Sequence, residues 1–262
     1  RGRQVEEADQ GIGHLGAVRM NGPTKGTVLV TGGSRGIGRA VIRRMIDDGF
    51  DVLHFSRTAP STLFEGESFE SVDLADSKQT REAIGDWIRK RDILYLVNNA
   101  GMIRTAKLEQ VSIEDVHDMV ALNMLAPIVL TQALVPSMRA RQFGRIVNIG
   151  SRAALGKEGR TVYGGTKAGL VGMTRTWALE LAADGITVNV IAPGPIATEL
   201  FEASNPPGSP QTQKLFASIP VKRVGKPEEV AHAVAMLMDE RAGFITGQLI
   251  NVCGGVSVGQ VG

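Results

Sequence analysis

From residue 27 onward, short apolar runs alternate with longer stretches in which apolar residues recur every three or four positions. Val28-Leu29-Val30 opens the series, and Asp51–Phe55, Phe69–Leu74, Ile93–Val97, Gly144–Gly150, Ile186–Ile191 and Gly247–Val252 continue it. Runs this short, bounded by turn residues, read as strands of a parallel sheet buried on both faces. Between them, Arg39–Asp48, Ser77–Lys90, Ile113–Arg141, Tyr163–Ala183 and Pro227–Asp239 read as helices. The alternation predicts an α/β protein: a doubly wound parallel sheet of about seven strands flanked by helices, in a single domain over residues 27–262.

Three stretches depart from the pattern. Asn123 lies inside the longest helical segment, between Leu122 and Met124, and Pro127 follows four residues later. Asn competes for backbone hydrogen bonds and Pro removes one, so a bend is expected there. Residues 199–219, with Ser204-Asn205-Pro206-Pro207-Gly208-Ser209-Pro210 at their centre, read as an irregular insertion,. Leu200, Phe201, Leu215 and Phe216 flank it, which suits a mobile lid with an apolar underside or a plain surface loop. Residues 1–26 are rich in glycine and charge and lack the apolar centre of a secretory signal,. They read as a flexible N-terminal arm or, since Met20 is the first methionine, as a remnant appended over much of 1–19.

Composition narrows the class. With 43% hydrophobic and 21% charged residues and a formal net charge of +2, the chain has the make-up of a soluble globular protein,. It has no single-sign block or basic-aromatic stripe to suit nucleic acid. No apolar run approaches the ~20 residues of a membrane span. The single cysteine, Cys253, excludes an internal disulfide and fits a reducing, cytoplasmic setting,. No metal ligand set is assigned.

Two motifs carry chemistry. Thr31-Gly32-Gly33-Ser34-Arg35-Gly36-Ile37-Gly38 joins the first strand to the first helix. Glycines there let the backbone turn tightly and approach a pyrophosphate at the positive helix end. The second strand ends at Ser56-Arg57, where an acidic residue would reject a ribose 2′-phosphate,. A hydroxyl and two guanidiniums, Ser56, Arg57 and Arg35, suit that phosphate and favour NADP(H) over NAD(H). Asp73 falls at the end of the third strand, where ligands gather. The second motif is Tyr163-Gly164-Gly165-Thr166-Lys167, which stacks a phenol and an ammonium on one helix face. The ammonium is expected to lower the phenol's pKa, tuning it for proton transfer. Ser151 ends the fifth strand twelve residues earlier.

Together these pieces resemble the short-chain dehydrogenase/reductase family over about residues 25–259, and within it the branch containing bacterial 3-oxoacyl-acyl-carrier-protein reductases. The resemblance implies a Rossmann-type fold. It implies that Asn123, Ser151, Tyr163 and Lys167 form the catalytic tetrad and that Asn98-Asn99-Ala100-Gly101 stabilises the sheet. It further implies cofactor contacts from Gly32, Ser34, Arg35, Gly36, Ile37, Gly38, Ser56, Arg57, Asp73, Leu74, Asn99, Ala100, Gly101, Tyr163 and Lys167. Pro193, Gly194, Ile196 and Thr198 would hold the nicotinamide carboxamide. In the implied chemistry Tyr163 exchanges a proton with the substrate oxygen and Ser151 hydrogen-bonds that oxygen. Lys167 binds the nicotinamide ribose, and Asn123 holds a water that links Lys167 to solvent. Gln142 and Leu179 stand where carrier-protein reductases have docking arginines, a departure from that branch. The expected partners are a small carbonyl or alcohol substrate and further copies of the chain, as a homotetramer or homodimer. The alternatives are an NAD-dependent alcohol or dihydrodiol dehydrogenase, or a non-catalytic cofactor-binding regulator on the same fold.

Overall fold

The computed structural model describes residues 15–16, 24–206 and 208–258. Seven strands run parallel: β2 (Thr27–Thr31), β3 (Asp51–Ser56), β4 (Glu67–Ser71), β5 (Ile93–Asn98), β6 (Gly144–Ile149), β7 (Ile186–Pro193) and β8 (Leu249–Val252). A two-residue strand, β1 (Leu15–Gly16), adds antiparallel to β4, giving the order β1-β4-β3-β2-β5-β6-β7-β8. It falls within the stretch read as an N-terminal arm; the rest of that arm up to residue 23 lies outside the described residues. Because β3 lies on one side of β2 and β5 on the other, the chain reverses direction across the sheet between β2 and β5. A crevice opens there at the carboxyl ends of the strands,.

Strand side chains alternate between two apolar layers. Val28 and Val30 enter one with α1 (Gly36–Asp47) and α8 (Pro227–Met238). Leu29 enters the other with α2 (Ser77–Ile88), α4 (Ala126–Arg141) and α5 (Thr161–Leu181). Leu130, Leu134 and Met138 are fully buried on α4. Truncating one of them to Ala would cost about 2–5 kcal/mol.

Several elements differ from the sequence reading. Helix α1 begins at Gly36 rather than Arg39, because the end of the glycine turn is already helical. The third strand is Glu67–Ser71, so Asp73 and Leu74 lie beyond its end. The long helical stretch is α3 (Ile113–Val120), a π-helical turn over Ala121–Leu125, and α4. Together they make 29 residues, long and apolar enough to cross a bilayer by length and composition, contrary to the sequence expectation. Here the apolar face of α4 packs into the domain core.

Residues 199–219 are not irregular. They form α6 (Glu199–Ser204) and α7 (Pro210–Ser218) around a short turn. Thr198 caps α6 by accepting from Phe201 N, and Ser209 caps α7 by accepting from Thr212 N. Pro210 occupies the first turn of α7, where a helix has no backbone N–H bond to lose,.

Candidate active site

The glycine turn is shaped by contacts that only glycine tolerates. Gly32 (φ +69°) and Gly36 (φ +57°) adopt left-handed backbone,. A Cβ on Gly38 would sit 2.1 Å from the Gly32 carbonyl oxygen. The turn is held from both neighbouring strands. Gly32 N donates to Phe55 O at 2.8 Å, and Asn99 Nδ2 donates to Thr31 O and Gly32 O at 2.9 and 3.0 Å. Thr31 Oγ1 accepts from both Asn99 N and Ala100 N at 2.9 Å. The N-terminus of α1 has no side-chain cap and no acidic residue in its first turn. Its first-turn amides and positive dipole end fit a pyrophosphate.

A cleft of about 660 Å³ opens beside this turn. Gly32, Ser34, Arg35, Ser56, Arg57, Asp73, Leu74, Asn99, Ala100 and Gly101 all line it. Gly36, Ile37 and Gly38 form the first turn of α1 behind it. Pro193 ends β7, and Gly194, Ile196 and Thr198 follow, with the Thr198 methyl against Gly36. Three contributions differ from expectation. Ser56 accepts the Gly33 amide at 3.0 Å and is buried, so its hydroxyl braces the turn. Leu74 and Ile196 bury their side chains in the core and offer backbone. Thr58 and Ser61 also line the cleft, and Ser34 Oγ donates to Thr58 O. Arg57 makes no ion pair among the described residues, whereas Arg35 lies 3.6 Å from Glu199 on α6.

On the other side of the crevice the structure brings Asn123, Ser151, Tyr163 and Lys167 together. The Ser151 hydroxyl, which accepts from Ala153 N at 3.1 Å, lies close enough to Tyr163 to lower the phenol's pKa. Lys167 Nζ lies 5.9 Å from the Tyr163 ring centre and donates to Ile149 O at 2.7 Å. Gly101 faces both Asn123 Oδ1 and Lys167 Nζ; a Cβ there would stand 3.2 and 3.4 Å from them. Asn123 sits in the π turn and is buried. Its Oδ1 accepts Met102 N at 2.9 Å, and its Nδ2 donates to Met102 O at 3.0 Å and Thr166 Oγ1 at 3.1 Å. The amide is therefore engaged at both ends. What the π turn adds is backbone, since its extra residue leaves one carbonyl without a helical amide partner.

The electrostatics correct one expectation. Burial raises the pKa of Tyr163, against the Ser151 hydroxyl and the Arg160 charge, which lower it. Burial also pushes Lys167 down to about 8. Desolvation is the largest effect on both groups, and Lys167 is not among the groups that lower the phenol,.

Sequence reasoning named Asn98 within a sheet-stabilising motif but missed its partners Asn148 and Thr174. Asn98 Nδ2 donates to Asn148 Oδ1 at 2.8 Å, and Asn148 Nδ2 donates to Thr174 Oγ1 at 2.8 Å. This buried chain ties β5 to β6 and to α5. An asparagine between Val147 and Ile149 in an apolar strand was the available signal. Thr166, the partner of Asn123, gave none beyond its place beside Lys167.

A family model described as enoyl-(acyl carrier protein) reductase matches residues 32–257. The chain is 35% identical over 238 residues to the 3-oxoacyl-[acyl-carrier-protein] reductase FabG of Buchnera aphidicola subsp. Acyrthosiphon pisum (strain APS), covering 88% of this chain and 96% of that one. It is 38% identical over 234 residues to the acetoacetyl-CoA reductase of Rhizobium meliloti (strain 1021), covering 87% and 96%. Among solved structures it is similar to a blue fluorescent protein from a metagenomic library in complex with NADPH. That match has 32% identity, a TM-score of 0.78 and coverage of 89% and 98%.

Proposed function

This chain belongs to the short-chain dehydrogenase/reductase family, and we propose that it interconverts a ketone and a secondary alcohol through Ser151, Tyr163 and Lys167. It is an NADP(H)-dependent oxidoreductase acting on CH–OH groups. The observation that carries the assignment of residues is a half-buried Tyr163 with Lys167 on the next turn of the same helix, its Nζ 5.9 Å from the Tyr163 ring centre, and Ser151 close enough to act on the phenol. NADPH, when bound, supplies the hydride.

The α1 N-terminus and the glycine turn hold the pyrophosphate, while Arg35 and Arg57 grip the 2′-phosphate by charge-assisted bonds. The segment Pro193 to Thr198 orients the nicotinamide amide. Tyr163, kept protonated by burial, donates its proton to the substrate oxygen as charge develops there. Ser151 donates to the same oxygen and stabilises that charge. Lys167 binds the ribose hydroxyls and re-protonates Tyr163. A water on the carbonyl freed by the π turn beside Asn123 connects Lys167 to solvent.

The relatives named above act on 3-oxoacyl groups carried by acyl carrier protein or CoA. A 3-oxoacyl thioester or a smaller ketone therefore fits the chain. Leu179 is exposed and Gln142 caps α4 in left-handed backbone, so neither place offers a cation to an acidic carrier protein. This favours a substrate free of the carrier. The α6–α7 segment serves as a lid over the crevice. The enzyme works in the cytoplasm, where its single free thiol stays reduced, as a homotetramer or homodimer through α4 and α5.

The test is NADPH oxidation across a ketone panel, with wild type beside Tyr163→Phe. Turnover by wild type alone, with NADPH binding retained in both, is the expected result. Equal turnover by the variant would remove Tyr163 from the reaction.

A further inference from the structure

The loop 57–66 joins β3 to β4 with no helix or strand of its own. Its first half lines the cofactor cleft through Arg57, Thr58 and Ser61, all of them exposed. An exposed loop is costly to order, so its shape depends on what holds it from the side. Two side chains reach it from the glycine turn and the first turn of α1. Ser34 Oγ donates to Thr58 O, and Arg39 donates to Thr62 O. Arg39 also lays its guanidinium over the Phe64 ring, 3.8 Å from the ring centre,. Arg39 is thus bonded to the middle of the loop and stacked on its far end.

What fixes Arg39 lies inside the sheet. Glu67 opens β4 and is fully buried. Its Oε1 accepts from Arg39 at 2.6 Å and stands 2.7 Å from His54 Nδ1. Its Oε2 accepts from Phe64 N at 2.8 Å, and Glu67 N donates back to Phe64 O at 3.0 Å. Burial works against the charge on Glu67, but the bonds from His54, Phe64 N and Arg39 hold its carboxyl below the usual carboxylate range. The carboxylate therefore locks Arg39 by a charge-assisted bond largely out of solvent. His54, the other partner of Glu67, packs under the glycine turn, where a Cβ on Gly33 would stand 2.9 Å from its Cγ. One buried carboxylate thus serves the floor of the turn, the start of α1 and the end of the loop. Arg39 itself does not line the cleft. With Glu67, Thr62 and Phe64 all engaged on it, its guanidinium has no part in gripping a phosphate directly.

We propose that Arg39 is a positioning residue for cofactor choice: clamped by the buried Glu67, it holds the loop 57–66 in the shape that presents Arg57, Thr58 and Ser61 to the ribose 2′-phosphate. This deepens the NADP(H) reading above and rests on it. Without the clamp the loop must be ordered by the ligand, and that entropy is charged against binding. NADPH bears the loss, because its 2′-phosphate is the group that the loop grips. NADH has no such group and is held by the glycine turn, so it loses little.

The experiment titrates NADPH and NADH by nucleotide fluorescence into wild type, Arg39→Met, Arg39→Lys, Arg57→Ala and the double variant Arg39→Met/Arg57→Ala. It reads the NADPH preference, the ratio of the NADH to the NADPH dissociation constant. Arg39→Met should weaken NADPH about tenfold and NADH by no more than about twofold. Arg39→Lys should recover part of the loss, because it keeps the charge against Glu67 but lacks the planar fork that also reaches Thr62. In the Arg57→Ala background, Arg39→Met should change the preference by less than about twofold, since its effect travels through the loop. Losing Arg39 leaves Glu67 a buried charge short of its cation, so Arg39→Met with Glu67→Gln, which removes both charges, serves where the single variant does not fold. An unchanged preference, or equal weakening of both cofactors, overturns the proposal and leaves Arg39 a purely structural residue. Where Arg57→Ala lowers the preference, full additivity in the double variant also overturns it. Should Arg57→Ala leave the preference unchanged, the assignment of Arg57 to the phosphate fails. A preference still lowered by Arg39→Met then supports the proposal through Thr58 and Ser61, and an unmoved one overturns both.

Discussion

On the catalytic side of the crevice, Asn123 and Lys167 are 1% and 3% exposed, and their polar atoms are bonded within the chain. On the cofactor side, Arg35 and Glu199 have side chains 75% and 73% exposed, joined by a loose contact of 3.6 Å. The inner side pays its desolvation during folding and stands ready. The outer side leaves its cations in water until a phosphate arrives. Geometry is thus fixed along the proposed proton path and left adjustable at the proposed cofactor rim.

The interior offers the largest test. Tyr163→Phe keeps the ring and removes the acid, and turnover should fall by about 10²–10⁴. Titration of cofactor fluorescence should find NADPH affinity unchanged; a parallel loss of binding would mean that the interior and the rim are one unit.

Lys167→Met should also stop turnover while raising stability. The sign follows from burial. The ammonium costs stability while it is charged, and its folded pKa near 8 lies below the unfolded value of 10.5. The cost is fully present below about pH 8 and is relieved as pH rises through the window from 8 to 10.5. Methionine removes a penalty of about 3 kcal/mol and leaves the Ile149 carbonyl short of a donor, at about 1 kcal/mol. The melting temperature at pH 7 should rise by several degrees, and a fall would refute the assignment of Lys167 as a buried, unpaired charge.

The same pKa sets the pH profile. Between pH 6 and 10, kcat/KM for ketone reduction should be level up to about 8 and fall beyond, as Lys167 loses the proton that supports Tyr163,. Alcohol oxidation should keep rising across that range, because it needs a proton acceptor.

At the rim the effects shrink. Arg57→Ala should weaken NADPH by about 1–3 kcal/mol and leave NADH nearly untouched; equal losses would place Arg57 away from the 2′-phosphate. Glu199→Gln is the smallest change. It frees Arg35 from an exposed pair worth at most about 1 kcal/mol, so NADPH should bind up to a few-fold tighter, with no change for NADH. A weaker NADPH complex would show that Glu199 supports the site and does not compete for Arg35.

Legibility followed the same division. The strands and the glycine turn were readable because short continuous apolar runs and glycines between a strand and a helix are local properties; the four candidate residues came from the resemblance, and only the offset from Tyr163 to Lys167 is local. The α6–α7 segment was misread because Pro210 looks the same whether it breaks a helix or begins one. The tuning of Tyr163 was misread for a deeper reason. The charge on Lys167 is visible in the sequence, but the burial that raises Tyr163 is created only when α5 closes on the sheet. The supports, Thr31 under Asn99 and Thr166 beside Asn123, link positions up to 68 residues apart and left no spacing to find.

The π turn at Ala121–Leu125 has a further consequence. One extra residue rotates everything before it by about 100° relative to everything after it. Asn123 therefore keeps its own phase, independent of the apolar stripe of α4 that packs against the sheet. Removing a single residue from this turn would restore an unbroken α-helix, leave Leu130, Leu134 and Met138 seated in the core, and swing Asn123 away from Gly101 and Lys167. An intact scaffold with Asn123 displaced is thus one codon away, and the turn acts as a coupling whose setting can change while the elements on either side stay whole.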